Sequence, residues 1–155
     1  MSFPAAAIVD QASFSAAPAI PQSGAYAVIF DPDGRVLTVR GESGRCYLPG
    51  GRLEPGETPR QALLRELAEE CSWSAAILSP LRQSNQRIMG GAVLLRASHW
   101  RARLVGQLDG KPECESEWLE VREALARLHR EVDRAALRAA VRQGPIATRP
   151  SLTAA

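Results

Sequence analysis

Apolar residues occur along this chain in short runs separated by turn signals, and the runs predict its elements. Residues 25–30, Ala-Tyr-Ala-Val-Ile-Phe, form a continuous apolar stretch of strand length, the pattern of a strand covered on both faces. Asp31-Pro32-Asp33-Gly34 is a turn sequence, and residues 35–40 read as the returning strand. A loop at 41–44 leads to a brief extended piece, Cys46-Tyr47-Leu48, and then to Pro49-Gly50-Gly51. Thr58 offers an N-cap, Pro59 suits the first helical position and Gln61 completes a capping box. The spacing therefore predicts a helix from there to about Cys71. Residues 75–78 read as a strand ended by Pro80, followed by extended segments at 87–95 and 98–106 and a polar loop at 108–115. Residues 120–128 and 132–141 have helical spacing, and Gly144-Pro145 is a stop. Strands mixed with helices predict an α/β fold in which helices cover both faces of a sheet.

Composition narrows the function classes. The 155 residues suit one domain, with 45% hydrophobic and 23% charged residues. A net charge of +2 is too small to make nucleic acid or an anionic membrane the main partner. A phosphate-rich ligand must then be met by local charge or by metal. Cys46, Cys71 and Cys114 are odd in number and far apart, no C-x-x-C occurs, and the histidines are His99 and His129. This argues against a disulfide framework or structural zinc and for reduced thiols in a cytoplasmic protein. No apolar run approaches a membrane span. Residues 1–22 are rich in Ala, Pro and Ser, with Asp10, Gln11 and Ser13 interrupting. They read as a partly ordered arm rather than a signal peptide. The domain is expected at 23–143, with a tail at 144–155, and a homodimer is left open.

The stretch most informative about chemistry is the first helix. Wound at about 100° per residue, it places Leu63, Leu64, Leu67, Ala68 and Cys71 on one broad face. Glu66, Glu69 and Glu70 cluster on the opposite side, with Arg65 at the edge. Acidic helix faces are usually just solvated. Here Glu69 and Glu70 stand in the last turn, where the helix dipole is negative and each charge costs about 0.3–1 kcal/mol. They also repel each other and Glu66. A hard divalent cation would relieve that repulsion, and carboxylate oxygens are its preferred ligands. Just upstream, Gly50-Gly51 would let the backbone approach a ligand and present a carbonyl, or would simply make a tight turn.

Gly51, Glu57, Arg65-Glu66-Leu67 and Glu69-Glu70 together match, at every spacing, the box that defines the Nudix family. The flank at 47–58, Tyr-Leu-Pro-Gly-Gly-Arg-Leu-Glu-Pro-Gly-Glu-Thr, looks like the family's approach to the box. Trp118 and the helix after it resemble its C-terminal part, so the resemblance spans roughly 24–143. One position departs: Ser72, before Trp73, stands where the family has a glycine that ends the helix in a left-handed conformation. Serine can occupy that conformation at a cost on the order of 1 kcal/mol.

The resemblance implies an α/β/α sandwich around a mixed sheet, with the box as a loop–helix–loop. It implies that Glu66, Glu69 and Glu70, with the Gly50 carbonyl, hold Mg²⁺, for which Mn²⁺ can substitute. Arg65 would hold a glutamate by a charge-assisted bond, and Glu57 would buttress the loop or add a metal contact. The implied reaction is Mg²⁺-dependent hydrolysis of a pyrophosphate bond in a nucleoside diphosphate derivative or related phosphoanhydride. A carboxylate takes the proton of the attacking water. Glu66 is one candidate, and Glu113 or Glu115, shortly before Trp118, are others. Arg40, Arg52 and Arg87 are candidate phosphate contacts, with solvated charge as the alternative. Tyr47, Trp73, Trp100 and Trp118 are candidates to stack on a base, with core packing as the alternative. Residues 86–91 carry neither the proline of the ADP-ribose branches nor the tyrosine of the diadenosine polyphosphate branches. Nucleoside triphosphates, nucleotide sugars, dinucleotides and non-nucleoside pyrophosphates therefore all stay open. The competing class is a nucleotide-sensing module without turnover. Such modules usually lose box carboxylates or gain a DNA-binding domain; this chain keeps the carboxylates and has no room for a winged helix.

Overall fold

The computed structural model of the chain describes residues 18–145; most of the expected arm, up to residue 17, and the tail from 146 lie outside them. The elements are β1 (Ile20–Val28), β2 (Val36–Arg40), β3 (Cys46–Tyr47), β4 (Gly50–Arg52), α1 (Pro59–Cys71), β5 (Trp73–Ile88), β6 (Val93–Gln107), β7 (Glu115–Leu119), α2 (Val121–Arg127) and α3 (Glu131–Gln143). A four-stranded sheet has the order β4-β1-β6-β5, and a three-stranded sheet the order β3-β2-β7. β1 runs parallel to β6, while β4 pairs antiparallel with β1 and β5 antiparallel with β6, so the larger sheet is mixed.

β1 organises the core. Successive strand residues point to opposite faces. Ala25, Ala27 and Ile29 join Leu63, Leu67 and Cys71 of α1, with Leu37, Val39 and Ala102. Tyr26 and Val28 meet Val132, Ala136, Leu137 and Ala140 of α3 in a second cluster, with Leu95, Ala97 and Leu128. The run expected to be covered on both faces is so covered, by α1 on one side and α3 on the other. This is the helix–sheet–helix sandwich the pattern predicts. Among the described residues no helix is long and apolar enough to cross a membrane.

Several boundaries differ from expectation. β1 opens at Ile20, inside the expected arm, because residues 20–24 pair with β6 from Val93 onward although several of their side chains are exposed. Pro80 does not stop its strand. β5 lies at the sheet edge, where a missing N–H is tolerated, and register shifts between Ile77/Ser79 and Pro80/Arg82 absorb the irregularity. The extended segment expected at 87–95 breaks instead into a reversal at Met89–Gly91, where Met89, Gly90 and Gly91 all have left-handed φ, 53°, 65° and 92°. β6 then continues through 96–97 as one strand. β7 occupies residues that showed no strand pattern. Leu64, expected on the core face of α1, is 41% exposed, while Ala62 is buried. The buried side of the helix is centred on Leu63 and Leu67, and Leu64 falls on its outer flank.

α1 begins as its capping box predicts: the Gln61 N–H donates to Thr58 Oγ1 at 3.2 Å, and the Thr58 N–H to Gln61 Oε1 at 3.0 Å. It ends at Ser72, which is left-handed at φ 57°, ψ 41°. The Ser72 N–H donates to Ala68 O at 3.1 Å, and its hydroxyl donates to Gly110 O at 3.3 Å. Serine thus carries the backbone strain but gains a bond that glycine could not make. We expect Ser72→Ala, which keeps the strain and loses the bond, to destabilise by about 0.5–1.5 kcal/mol in urea unfolding. Ser72→Gly, which loses both, should lie within about 1 kcal/mol of the wild type. An alanine variant as stable as the wild type would contradict the role given to the hydroxyl.

Candidate active site

Two glycines bring β4 against its neighbours. Gly50 pairs with Tyr26 and has φ 139°, and a Cβ there would fall on the Ala25 carbonyl oxygen and 2.7 Å from Tyr26 Cα. A Cβ on Gly51 would lie 2.5 Å from the carboxyl carbon of Glu66. At position 50 only glycine fits against β1, whereas a side chain at 51 would have to displace the Glu66 carboxylate.

Arg65 gathers the acids. Its Nε and Nη2 donate to the two oxygens of Glu57 at 2.9 and 2.8 Å, a two-pronged carboxylate contact. Nη2 also donates to Arg52 O at 3.0 Å, and Nη1 to Glu66 Oε1 at 3.0 Å and Glu69 Oε2 at 3.2 Å. One guanidinium therefore ties the loop before α1 to two of the box carboxylates. Glu57 also accepts the Glu54 N–H at 2.7 Å. These bonds, that to Arg65 foremost, push the Glu57 carboxyl down to about 2. The contact with Glu57 likewise raises Arg65 above its ordinary value. Glu57 thus joins the loop before α1 to Arg65.

The three box glutamates are not equivalent. The Glu69 side chain is 43% exposed, whereas Glu70 is only 8% exposed and accepts the Gly50 N–H at 3.2 Å. The expected position of all three opposite the core is thus corrected. Glu70 is buried on the flank of the core face, and Glu66 packs against Gly51. Burial, reinforced by the adjacent Glu66 carboxylate, raises the Glu70 carboxyl above its ordinary range, while the Gly50 N–H and the Cys114 thiol oppose the rise. Cys114 is a neighbour that sequence reasoning missed. It arrives because the loop before β7 is fastened to the end of α1. Glu113 N–H donates to Glu69 O at 3.0 Å and Cys114 N–H to Glu70 O at 3.1 Å.

As the side chains stand, no group of three or more acidic, histidine or cysteine residues among the described residues converges as a metal centre would. Arg65 engages Glu66 and Glu69 instead. The donor set nevertheless suits a hard divalent cation. Two carboxyl groups, Glu66 and Glu70, are within hydrogen-bonding reach of each other in a mostly buried place beside a close-packed glycine backbone.

The other predicted residues are distributed around this centre. Glu113 reaches it through its backbone. Glu115 stands on β7 opposite Arg40, whose guanidinium lies 3.9 Å from Glu115 and from Glu117. Both line a 260 Å³ groove with Cys46 and Arg127. Arg52 gives its carbonyl to Arg65. Trp73, Trp100 and Trp118 pack against the α1 core cluster, in favour of the core reading. Tyr47 and Arg87 line a 440 Å³ cavity with Arg45, Met89, His129 and Arg130. There the Tyr47 ring meets His129 edge-on at 5.8 Å and lies 4.8 Å beneath the Arg130 guanidinium. Arg130 also lies over Tyr26 at 5.5 Å, and Tyr26 is the partner of Gly50 on β1. The cavity is therefore linked to the carboxylates through Tyr26 and Gly50.

Fold and site define an α/β sandwich whose loop–helix–loop carries an arginine-organised group of carboxylates. The chain belongs to the Nudix family, whose NUDIX domain model matches residues 20–140. It is 32% identical over 78 residues to the CTP pyrophosphohydrolase of Escherichia coli, covering 47% of this chain and 58% of that protein. Over 73 residues it is 41% identical to a Mycobacterium tuberculosis protein described as a candidate 8-oxo-dGTP diphosphatase, covering 46% of this chain and 48% of the other. The chain thus spans about half the length of the curated relatives it matches. The solution structure of the E. coli ORF135 protein superposes with a TM-score of 0.63 at 26% identity, covering 78% of this chain and 89% of that one.

The Glu57–Arg65 contact has a pH signature. A carboxyl held below its unfolded value stabilises the fold above about pH 4.5, and the effect is lost as pH falls towards about 2. The gap in unfolding midpoint between wild type and Glu57→Gln should be constant from neutral pH down to mildly acid conditions and close below that. A gap independent of pH down to the acid limit would show that Arg65 does not depend on the Glu57 charge.

Proposed function

We propose that this chain is a Mg²⁺-dependent hydrolase of phosphoanhydride bonds in nucleotide-like small molecules. The observation that carries the reading is the pair Glu66 and Glu70, crowded together against Gly50 and Gly51, with Arg65 holding Glu66 and the Gly50 N–H holding Glu70. So costly an arrangement of like charges makes sense where a cation is to be bound. Glu66, Glu69, Glu70 and the Gly50 carbonyl are the groups that would hold Mg²⁺ or Mn²⁺, in keeping with the general use of divalent cations by Nudix hydrolases. When bound, the cation supplies charge neutralisation at the phosphate oxygens and helps activate the attacking water.

The protein's own groups do the rest. Arg65 restrains Glu66 and Glu69 while Glu57 restrains Arg65, so the acids are positioned before substrate arrives. One carboxylate accepts the proton of the water that attacks phosphorus as the anhydride P–O bond breaks. Glu66 is the leading candidate because it lies against the Gly51 backbone; Glu113 is the alternative from the loop. The cavity lined by Tyr47, Arg45, Arg87 and Arg130 joins aromatic faces to cationic groups, a combination suited to an aromatic base bearing phosphates. The names of the two relatives point to nucleoside triphosphates as the first substrates to try. Three free thiols and the small net charge favour a cytoplasmic enzyme acting without nucleic acid or membrane partners.

A nucleotide-sensing module on the same fold would bind but not turn over. The test is product formation by chromatography on a panel of nucleoside triphosphates and diphosphate derivatives, with Mg²⁺ and then with EDTA. Glu70→Gln keeps the side-chain shape and removes the charge. We expect it to retain the fold by circular dichroism and to lose at least ~10²-fold in turnover. Turnover undiminished in the variant or in EDTA would sink the mechanism, and a wild type that binds nucleotides without hydrolysing them would favour the sensor.

A further inference from the structure

Behind the turn at 48–50 lies a buried polar pair that the carboxylate site does not use. His99 on β6 and Asp133 on α3 both have fully buried side chains, with Nε2 and Oδ1 2.7 Å apart. The second oxygen of Asp133 accepts the Leu48 N–H at 3.3 Å. Both residues occupy core positions. Asp133 shares the buried face of α3 with Ala136, Leu137 and Ala140, and the His99 ring lies 5.4 Å from that of Tyr26. A carboxylate can only accept, so His99 Nε2 donates, and Nδ1 is buried with no hydrogen-bond partner. Apolar residues of similar volume would fill such a place at less cost. Packing alone therefore does not account for the pair. What it achieves is the bond to Leu48, two residues before Gly50.

We infer that Asp133, oriented by His99, is a positioning residue for the glycine turn of the active site. It ties Leu48 to α3, while Glu70 ties Gly50 to α1 at 3.2 Å. The turn is thus held from both layers of the sandwich, and the Gly50 backbone is fixed beside Glu66 and Glu70. The catalytic consequence rests on the functional reading above; the structural tie does not.

The test uses the full chain and the variants Asp133→Leu and Asp133→Asn. In the metal-free protein, amide hydrogen exchange at Leu48 and Gly50 should speed at least ~10-fold in Asp133→Leu, with the middle of α1 unchanged. Mn²⁺ affinity, read by electron paramagnetic resonance without substrate, should weaken about 10-fold or more, and kcat should fall with KM little changed. In Asp133→Asn the amide oxygen can still accept from Leu48 while its NH₂ donates to the other tautomer of His99. Slow exchange at Leu48 and Mn²⁺ affinity within about threefold of wild type are expected there, since the tie is kept. A folded Asp133→Leu with wild-type exchange at Leu48, or with wild-type Mn²⁺ affinity, would overturn the inference. Should that variant not fold, Asp133→Asn decides: loss of Mn²⁺ affinity while Leu48 stays protected would overturn it. A wild type that binds no Mn²⁺ would strike the functional reading alone, because the exchange experiment still decides the tie.

Discussion

The Arg65 guanidinium is the contact through which the acidic end of α1 becomes compatible with a folded protein. Glu66, Glu69 and Glu70 stand near the C-terminal end of a helix, where the dipole disfavours negative charge. With only water between them they would repel and splay. Arg65 offers five donors in a rigid fork and uses them on Glu57, Arg52 O, Glu66 and Glu69 together. The arrangement satisfies part of the negative charge and leaves Glu70, buried against Gly50, without an arginine of its own. On the function proposed above, that residual deficit is what a bound cation would relieve.

The same constraint explains the backbone around it. Gly50 has no room for a side chain because the β1 backbone fills the space a Cβ would need, and a Cβ at Gly51 would displace the Glu66 carboxylate from its place. β1 can bring its backbone so close because its two faces are committed to two helices, through Ala25, Ala27 and Ile29 on one side and Tyr26 and Val28 on the other. The loop at 108–114 closes the end of α1 through Ser72, Glu69 and Glu70, which delivers Cys114 to the buried carboxyl. Site and core are therefore one construction, and the apolar strand run is as much a part of the carboxylate geometry as the acids are.

Much of this was legible in the sequence. The capping box at Thr58 and Gln61, the apolar run of β1 and the spacing from Gly51 to Glu70 each pointed to the element that forms. The left-handed end at Ser72 was also readable, though its bond to Gly110 was not, because nothing local ties residue 72 to a loop almost forty positions on. The failures have a common cause in tertiary pairing. Pro80 is a stop by local rules, but an edge strand tolerates it. β7 has no alternating pattern because its burial is set by β2 beside it. A helical wheel places the three glutamates together, but only the packing of α1 on β4 separates buried Glu70 from exposed Glu69. His99 and Asp133 did leave a signal, a polar residue on each of two apolar faces, but one that identifies no partner until β6 and α3 meet.

Anomalous scattering from Mn²⁺ in a crystal of the protein measures most directly whether the carboxylates of α1 form a cation site. One or more peaks bounded by Glu66, Glu70 and the Gly50 backbone, abolished by Glu70→Gln, are the expected result. Mn²⁺ bound only elsewhere, or not at all at millimolar concentration, would contradict it.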